Sequence, residues 1–268
     1  MKNQIGAMAK RILMFALVLT AVFAFTAAAK AENYRNTWVN KDGRYYYYNS
    51  KGVKLTGIRK VKGKKYFFDS KGRQRTGWVK HNGRYYFFKI SNGANGKMVR
   101  NKTVNGIRLN ALGRAVTDSR GLAKLRVMVR ANEELFAQTN ANMKMSTKRW
   151  IMFEYTKNHY TVSSMPEYGD YYDWDIMYAD FMLFRGYGDC YAFAAVFGYF
   201  CNAIGYDTYV VASGGHAWTE VKGYYFDSNW ATVIGSDMCY CVPGYLSGVN
   251  GRPDWANNRL YIKDLNVL

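Results

Sequence analysis

Three consecutive twenty-residue segments of this chain stack with almost no adjustment: WVNKDGRYYYYNSKGVKLTG, IRKVKGKKYFFDSKGRQRTG and WVKHNGRYYFFKISNGANGK. Trp38, Ile58 and Trp78 fall twenty apart, as do Gly43, Gly63 and Gly83, and Tyr46, Tyr66 and Tyr86. A fixed period of this length means an array of small units, none of which can bury its apolar face alone. Each unit has a Gly turn, a short aromatic strand and a second turn at NSKG or DSKG, which is the chemistry of a β-hairpin. The aromatics therefore belong in part to a core that stacking creates. The stretch NGIRLNALGRAV, from Asn105 to Val116, reads as a degraded last unit.

Charge divides the chain at the end of this array. Residues 32–118 hold 21 Lys and Arg against four Asp and Glu, a net +17, whereas residues 119–268 hold 13 against 15, a net −2. Such asymmetry suggests that the first half meets an anionic surface and the second does something else. At the N-terminus, Lys2, Lys10 and Arg11 precede the 18-residue apolar run ILMFALVLTAVFAFTAAA, and Ala29 to Ala31 supply small residues for signal-peptidase cleavage after Ala31. An uncleaved anchor is the rival reading of that run. Both readings export the rest of the chain, and no later stretch is long and apolar enough to span a bilayer. The expected polyanion is thus a cell-envelope polymer and not nucleic acid, with no membrane contact once the leader is removed.

The repeats resemble the cell-wall-binding, choline-binding-type repeats of secreted Gram-positive proteins, in which a Gly-Trp pair is followed by a Gly and a YYF strand. The resemblance covers roughly residues 37–97. It implies ligand contacts through aromatic side chains, here Trp38, Tyr46, Tyr66, Trp78 and Tyr86; family members that hold choline do so in cation–π cages. Ile58 stands where a Trp is expected, and a +17 module repels a quaternary ammonium group unless phosphate accompanies it. An anionic wall polymer or glycan is therefore the expected partner, ahead of choline itself.

From Leu122 the texture changes to helical spacing, with helices expected in LAKLRVMVRANEELFAQTNANMKM, KRWIMFEYTKNHY and WDIMYADFMLF. In GDCYAFAAVFGYFCNAIGYDTYVVAS, Gly188 ends one element and Asp189 caps the next, so Cys190 opens a helix running to about Ile204. Phe193, Val196, Phe197, Phe200 and Ile204 give it an apolar face, and Gly205 ends it. A helix N-terminus favours a thiolate and offers N–H groups to a developing oxyanion. DTYVVAS, HAWTEVK and YYFDSN follow as strands, the last two joined by a tight turn at Gly223. Cys190, His216 and Asp227 then form a thiol, a base and an orienting carboxylate in chain order.

These segments resemble the transglutaminase-like superfamily, whose core has a helix opening with Gly-x-Cys (here GDCYAFA), a strand with HAW-x-E-V (His216 to Val221) and a strand with D-[ST]-x-W (Asp227 to Trp230). The resemblance spans about 50 residues. It implies an α+β papain/transglutaminase-like core, a Cys-bearing helix packed on an antiparallel sheet, beside the all-β hairpin array. By that likeness Cys190 is the nucleophile, His216 the general base and acid, and Asp227 the residue that fixes its tautomer. No motif places a second oxyanion donor, for which Trp174 or the Tyr187 region are the candidates, and Trp218 and Trp230 are read as core or groove wall.

Three domains are therefore expected: a signal peptide at 1–31, the repeats at 32–118 and the transglutaminase-like domain at 119–268. A disulfide from Cys201 to Cys239 or Cys241 would suit an exported protein. His81 and His159 lack ligand spacing, so neither a metal nor a cofactor is called for. The expected function is that of a secreted, wall-associated thiol enzyme acting on a protein or peptide substrate through a thioester. A papain-like wall peptidase and a non-catalytic adhesin that keeps the fold are the alternatives.

Overall fold

At five turns the chain places two consecutive residues in the left-handed region: Asp42–Gly43, Lys62–Gly63, Asn82–Gly83, Asn105–Gly106 and Lys222–Gly223, with φ from 45° to 80°. This is the backbone of the two-residue hairpin turn whose twist matches that of paired strands. The first four turns close the hairpins β1 (Thr37–Lys41) with β2 (Arg44–Tyr48), β3 (Gly57–Val61) with β4 (Lys64–Phe68), β6 (Gly77–His81) with β7 (Arg84–Phe88), and β8 (Lys102–Val104) with β9 (Ile107–Leu109). Short strands β5 (Gln74–Arg75) and β10 (Ala115–Val116) add to β4 and β9. The computed structural model describes residues 33–91, 93–166, 173–213, 215–243 and 259–262. The leader expected at 1–31 lies outside them.

The second turn of the repeat is built around an Asx side chain. Asp69 Oδ1 accepts from the N–H groups of Lys71 and Arg73, and Asn110 Oδ1 accepts from those of Leu112 and Arg114. Asn105–Val116 thus carries both turns of the repeat, as expected of a degraded last unit. Among the described residues, 33–37 and 48–53 belong to a unit of their own. Within its described residues Asn49 Oδ1 makes the same turn, to Lys51 and Val53, and the Tyr34 and Tyr48 rings lie 5.1 Å apart.

Stacking uses the twenty-residue period directly. Trp38 packs on Tyr66 and Phe68 of the next hairpin, at 5.0 and 5.6 Å between ring centroids. Ile58, one period on, packs against the cluster of Val79, Tyr86, Phe88 and Met98, and Trp78 joins Ile107 and Leu109 in the main core. The position therefore requires a large apolar side chain that reaches the next unit, and Ile satisfies it as Trp does.

The remainder is mixed helix and sheet. Helices Ser119–Gln138, Met145–His159, Trp174–Arg185 and Cys190–Ile204 form where they are expected. Strands β11 (Thr161–Val162) and β12 (Tyr187–Gly188) make a short parallel pair ahead of Cys190. β13 (Thr208–Ser213), β14 (His216–Val221), β15 (Tyr224–Phe226), β16 (Val242–Pro243) and β17 (Arg259–Tyr261) form an antiparallel sheet in the order β16-β15-β14-β13-β17.

The Cys190 helix packs on β13 and β14. Buried residues encircle it, so the expected single apolar face understates its burial. Gly198 permits the close approach: a Cβ there would stand 2.7 Å from Val210 Cγ1 and 2.8 Å from Ile262 Cδ1. The buried Thr219 hydroxyl donates to the Ala194 carbonyl at 2.8 Å, tying β14 to the same helix. Among the described residues no helix is long and apolar enough to cross a membrane.

Two expectations need correcting. The expected strand YYFDSN ends at Phe226: Asp227 caps a helix, Ser228–Ile234, so Ser228, Asn229 and Trp230 are helical and Trp230 is 49% exposed, outside the core. The four cysteines are free. Cys241 has left-handed φ of 59° and its Sγ accepts from the Arg149 guanidinium at 3.6 Å.

Candidate active site and repeat surface

Cys190 opens its helix as the cap sequence requires. The Asp189 side chain accepts from the Ala192 N–H at 3.1 Å, closing the first turn. Gly188 is needed one residue earlier, because a Cβ there would lie 2.4 Å from Ala192 Cβ. The Cys190 thiol donates to the Gly215 carbonyl at 3.9 Å, which places it beside the start of β14.

His216 is the first residue of β14. The register of β14 with β15 pairs Thr219 with Phe226, so its extension sets Asp227 opposite Trp218. His216 lies two residues from Trp218 on the same face, making it the diagonal neighbour of Asp227. Their side chains meet at 2.5 Å between His216 Nε2 and Asp227 Oδ2. The carboxylate is held from three sides. Its Oδ1 accepts from the Trp230 N–H at 2.8 Å, its backbone N–H donates to the Cys239 carbonyl at 3.0 Å, and Oδ2 is left for the imidazole.

Burial favours the neutral imidazole, but hydrogen bonds and charge from Asp227 and from Cys190 outweigh it and hold His216 up at about 10. With Nε2 engaged by Asp227, Nδ1 is the ring nitrogen left for the thiol. The three expected residues are thus brought together on one ring, half open to solvent, with side-chain exposures of 37% for His216 and 20% for Asp227.

Sequence reasoning missed the supports of this group: Gly215, whose carbonyl faces the thiol with φ of 139°, Thr219 beneath it, and the Cys239 carbonyl. The Gly214–Gly215 pair before His216 was the available signal. Trp174 is buried and packs edge-on against Tyr191, while Tyr187 is exposed against Phe181. Trp218 is buried. Cys201 is fully buried, which pushes its thiol far up, and burial raises Cys239 as well. Among the described residues no three His, Cys, Asp or Glu side chains converge as metal ligands.

The aromatic positions of the repeats do not form one shared cage. Trp38 is half-buried and shares a cluster with Tyr66, which is 8% exposed; Tyr86, also 8% exposed, lies in the next cluster. Trp78 is 3% exposed in the main core, and its indole N–H donates to Asn105 Oδ1 at 2.9 Å. Asn105 Nδ2 in turn donates to the buried Asn202 of the Cys190 helix at 3.1 Å. Tyr46 lies under Lys54 Nζ, 4.5 Å from the ring centroid.

A family model for choline-binding repeats matches residues 55–103. Among solved structures, a choline-binding domain from Streptococcus pneumoniae is 28% identical over 30% of this chain and 93% of its own, with a TM-score of 0.27. Choline-binding protein F of Streptococcus pneumoniae, solved with a peptidoglycan analogue, is 28% identical over 30% of this chain and 26% of its own, with a TM-score of 0.27. The multimodular pneumococcal cell-wall endolysin of phage Cp-1, solved with choline, is 27% identical over 32% of this chain and 25% of its own, with a TM-score of 0.22. This chain therefore spans about a quarter of each of the last two proteins. No curated protein matches it.

Proposed function

We propose that this is a cell-surface protein that binds an envelope polymer through its repeats and carries a thiol centre for acyl transfer in a transglutaminase-like second half. The match of residues 55–103 to choline-binding repeats supports the binding role, together with the +17 charge of residues 32–118. The observation that carries the chemistry is the 2.5 Å contact of Asp227 with His216, whose ring faces a cysteine at a helix N-terminus.

In this reading His216 takes the proton of the Cys190 thiol, leaving a thiolate beside an imidazolium. The sulfur attacks the carbonyl carbon of a carboxamide or peptide bond. The Cys190 N–H, which stands at the helix start and is not among the N–H groups that the Asp189 carboxylate takes, receives the oxyanion. His216 gives its proton to the departing amine, the C–N bond breaks and a thioester remains. It then takes a proton from water or a second amine, whose attack on the thioester returns the thiolate. Asp227 holds Nε2–H throughout, so that Nδ1 does the exchange. The acceptor that reaches the thioester decides between hydrolysis and cross-linking.

A second reading is a surface-binding protein that keeps this arrangement without turnover; it is favoured because the family match falls wholly on the repeats. The two separate in one experiment, in which the native chain and Cys190→Ala are bound to isolated Gram-positive walls and offered a glutamine-containing peptide with an amine acceptor. Equal wall binding with amide release or peptide cleavage by the native chain alone supports the enzyme. Equal binding with neither product leaves the adhesin.

A further inference from the structure

The third hairpin and the segment that follows it bring a set of cations together against the second hairpin. Lys60, Lys64 and Lys65 come from β3 and β4, Lys89 and Lys97 from the segment after β7, and Arg100 and Lys102 from the approach to β8 and its first residue. Two backbone bonds close the arrangement: the Met98 N–H donates to the Lys65 carbonyl at 2.8 Å, and the Lys89 N–H to the Lys97 carbonyl at 2.9 Å. Between these elements runs a groove of about 960 Å³ with no Asp or Glu in its lining. All seven cations are exposed, and none belongs to an ion pair among the described residues.

The strand register makes the arrangement costly for the protein alone. Lys60 and Lys65 stand directly opposite one another in the β3–β4 hairpin, and like charges in that relation are destabilising. A concave surface lined by one sign of charge concentrates the opposite sign and steers its approach. The same field repels a free quaternary ammonium ion.

We propose that this groove binds a linear polyanion of the envelope, its charge carried by phosphodiester or by carboxylate groups along the chain. The inference rests on the wall-binding reading above and names the ligand and the place where it lies. Successive anionic groups would run past Lys60 and Lys65 toward Lys97 and Lys102, and contact is made by charge instead of by an aromatic cage. Binding then weakens with salt, whose screening length falls to about 3 Å at 1 M.

The test uses the mature chain, isolated walls, poly(glycerol phosphate), polygalacturonate and neutral dextran. One variant combines Lys60→Gln, Lys64→Gln, Lys97→Gln and Lys102→Gln; a charge-matched control combines Lys71→Gln, Lys80→Gln, Arg84→Gln and Arg108→Gln. We expect the native chain to bind walls and at least one polyanion but not dextran, and the groove variant to bind about tenfold or more weaker than the control, since only its cations converge. Preference between the two polymers identifies which anion is read. Equal loss in both variants overturns the groove and leaves diffuse attraction. Wall binding that survives molar salt and is displaced by free choline overturns the groove while wall binding stands. Failure of the native chain to bind walls removes the wall-binding reading and this inference with it.

Discussion

His216 Nε2 lies 2.5 Å from Asp227 Oδ2 across the end of a hairpin, eleven residues apart in sequence. The carboxylate is positioned by the first turn of the Ser228–Ile234 helix and by the Cys239 carbonyl, so its direction does not depend on the imidazole. That independence makes the pair a sharp object for mutation.

Asp227→Asn keeps the helix cap, because Asn and Asp serve equally there. What changes is the partner of Nε2: the amide can present the wrong group and leave the wrong tautomer facing the thiol. Turnover should fall by about 10² to 10³, less than the roughly 10⁴ known for such a change in a serine triad, since a thiolate at a helix N-terminus needs less help. The alkaline limb of the pH–rate profile should move to lower pH, because His216, now held up at about 10, loses its anionic partner. Superimposable profiles would make Asp227 a structural residue.

The raised His216 also predicts a pH dependence of stability. An unfolded His titrates near 6.5, so between about 6.5 and 10 the folded state holds a proton that the unfolded state has released. The stabilisation is fully present below the lower value and is lost as pH rises through the upper one. Urea midpoints should therefore fall from pH 6 to pH 10 in the native chain and fall less in His216→Gln. An equal fall in both would place the proton elsewhere.

Much of this arrangement was legible in the sequence, and for physical reasons. The hairpin turns must fall where Gly follows Asp, Lys or Asn, because two successive left-handed residues admit few side chains. Cys190 could be placed at a helix start because Asp189 is a capping residue followed by apolar residues at helical spacing. The fate of Ser228–Trp230 could not be read. A seven-residue helix has too few turns to show a period, and an Asp after an aromatic strand serves equally as strand end or helix cap. Nor could strand alternation say which repeat aromatics remain open, because the covering surface of Trp78 comes from Ile107 and Leu109 and from the helices. The cations of the basic groove are spread over residues 60–102, and backbone bonds such as that from the Met98 N–H to the Lys65 carbonyl bring them together.

Asn105 accepts from the buried Trp78 indole and donates to the buried Asn202, joining the last repeat to the Cys190 helix. Asn105→Ala leaves both groups without that partner and should cost about 1–3 kcal/mol. Denaturant unfolding measures it; a loss below about 0.5 kcal/mol would mean that water replaces the amide.

Gly198→Ala tests how tightly the Cys190 helix lies on its sheet. Helix propensity alone favours Ala by about 1 kcal/mol. The new Cβ would meet Val210 and Ile262, both fully buried, at 2.7 and 2.8 Å, and overpacking of this kind typically costs about 1–3 kcal/mol. We expect a net loss of about 1 kcal/mol by urea unfolding; a gain would show that the helix can lift without cost.

The central claim is that His216 makes Cys190 a reactive thiol, and the four free cysteines offer an internal comparison. The measurement is iodoacetamide labelling across pH 5 to 10, read peptide by peptide by mass spectrometry in the native chain and in His216→Ala. Cys190 should label about tenfold or more faster than Cys201 and Cys239 near pH 6, where buried thiols are inert and an imidazolium sustains the thiolate. That excess should be lost in His216→Ala. Labelling of Cys190 no faster than Cys241, or a pH profile unchanged by removal of His216, would contradict the account.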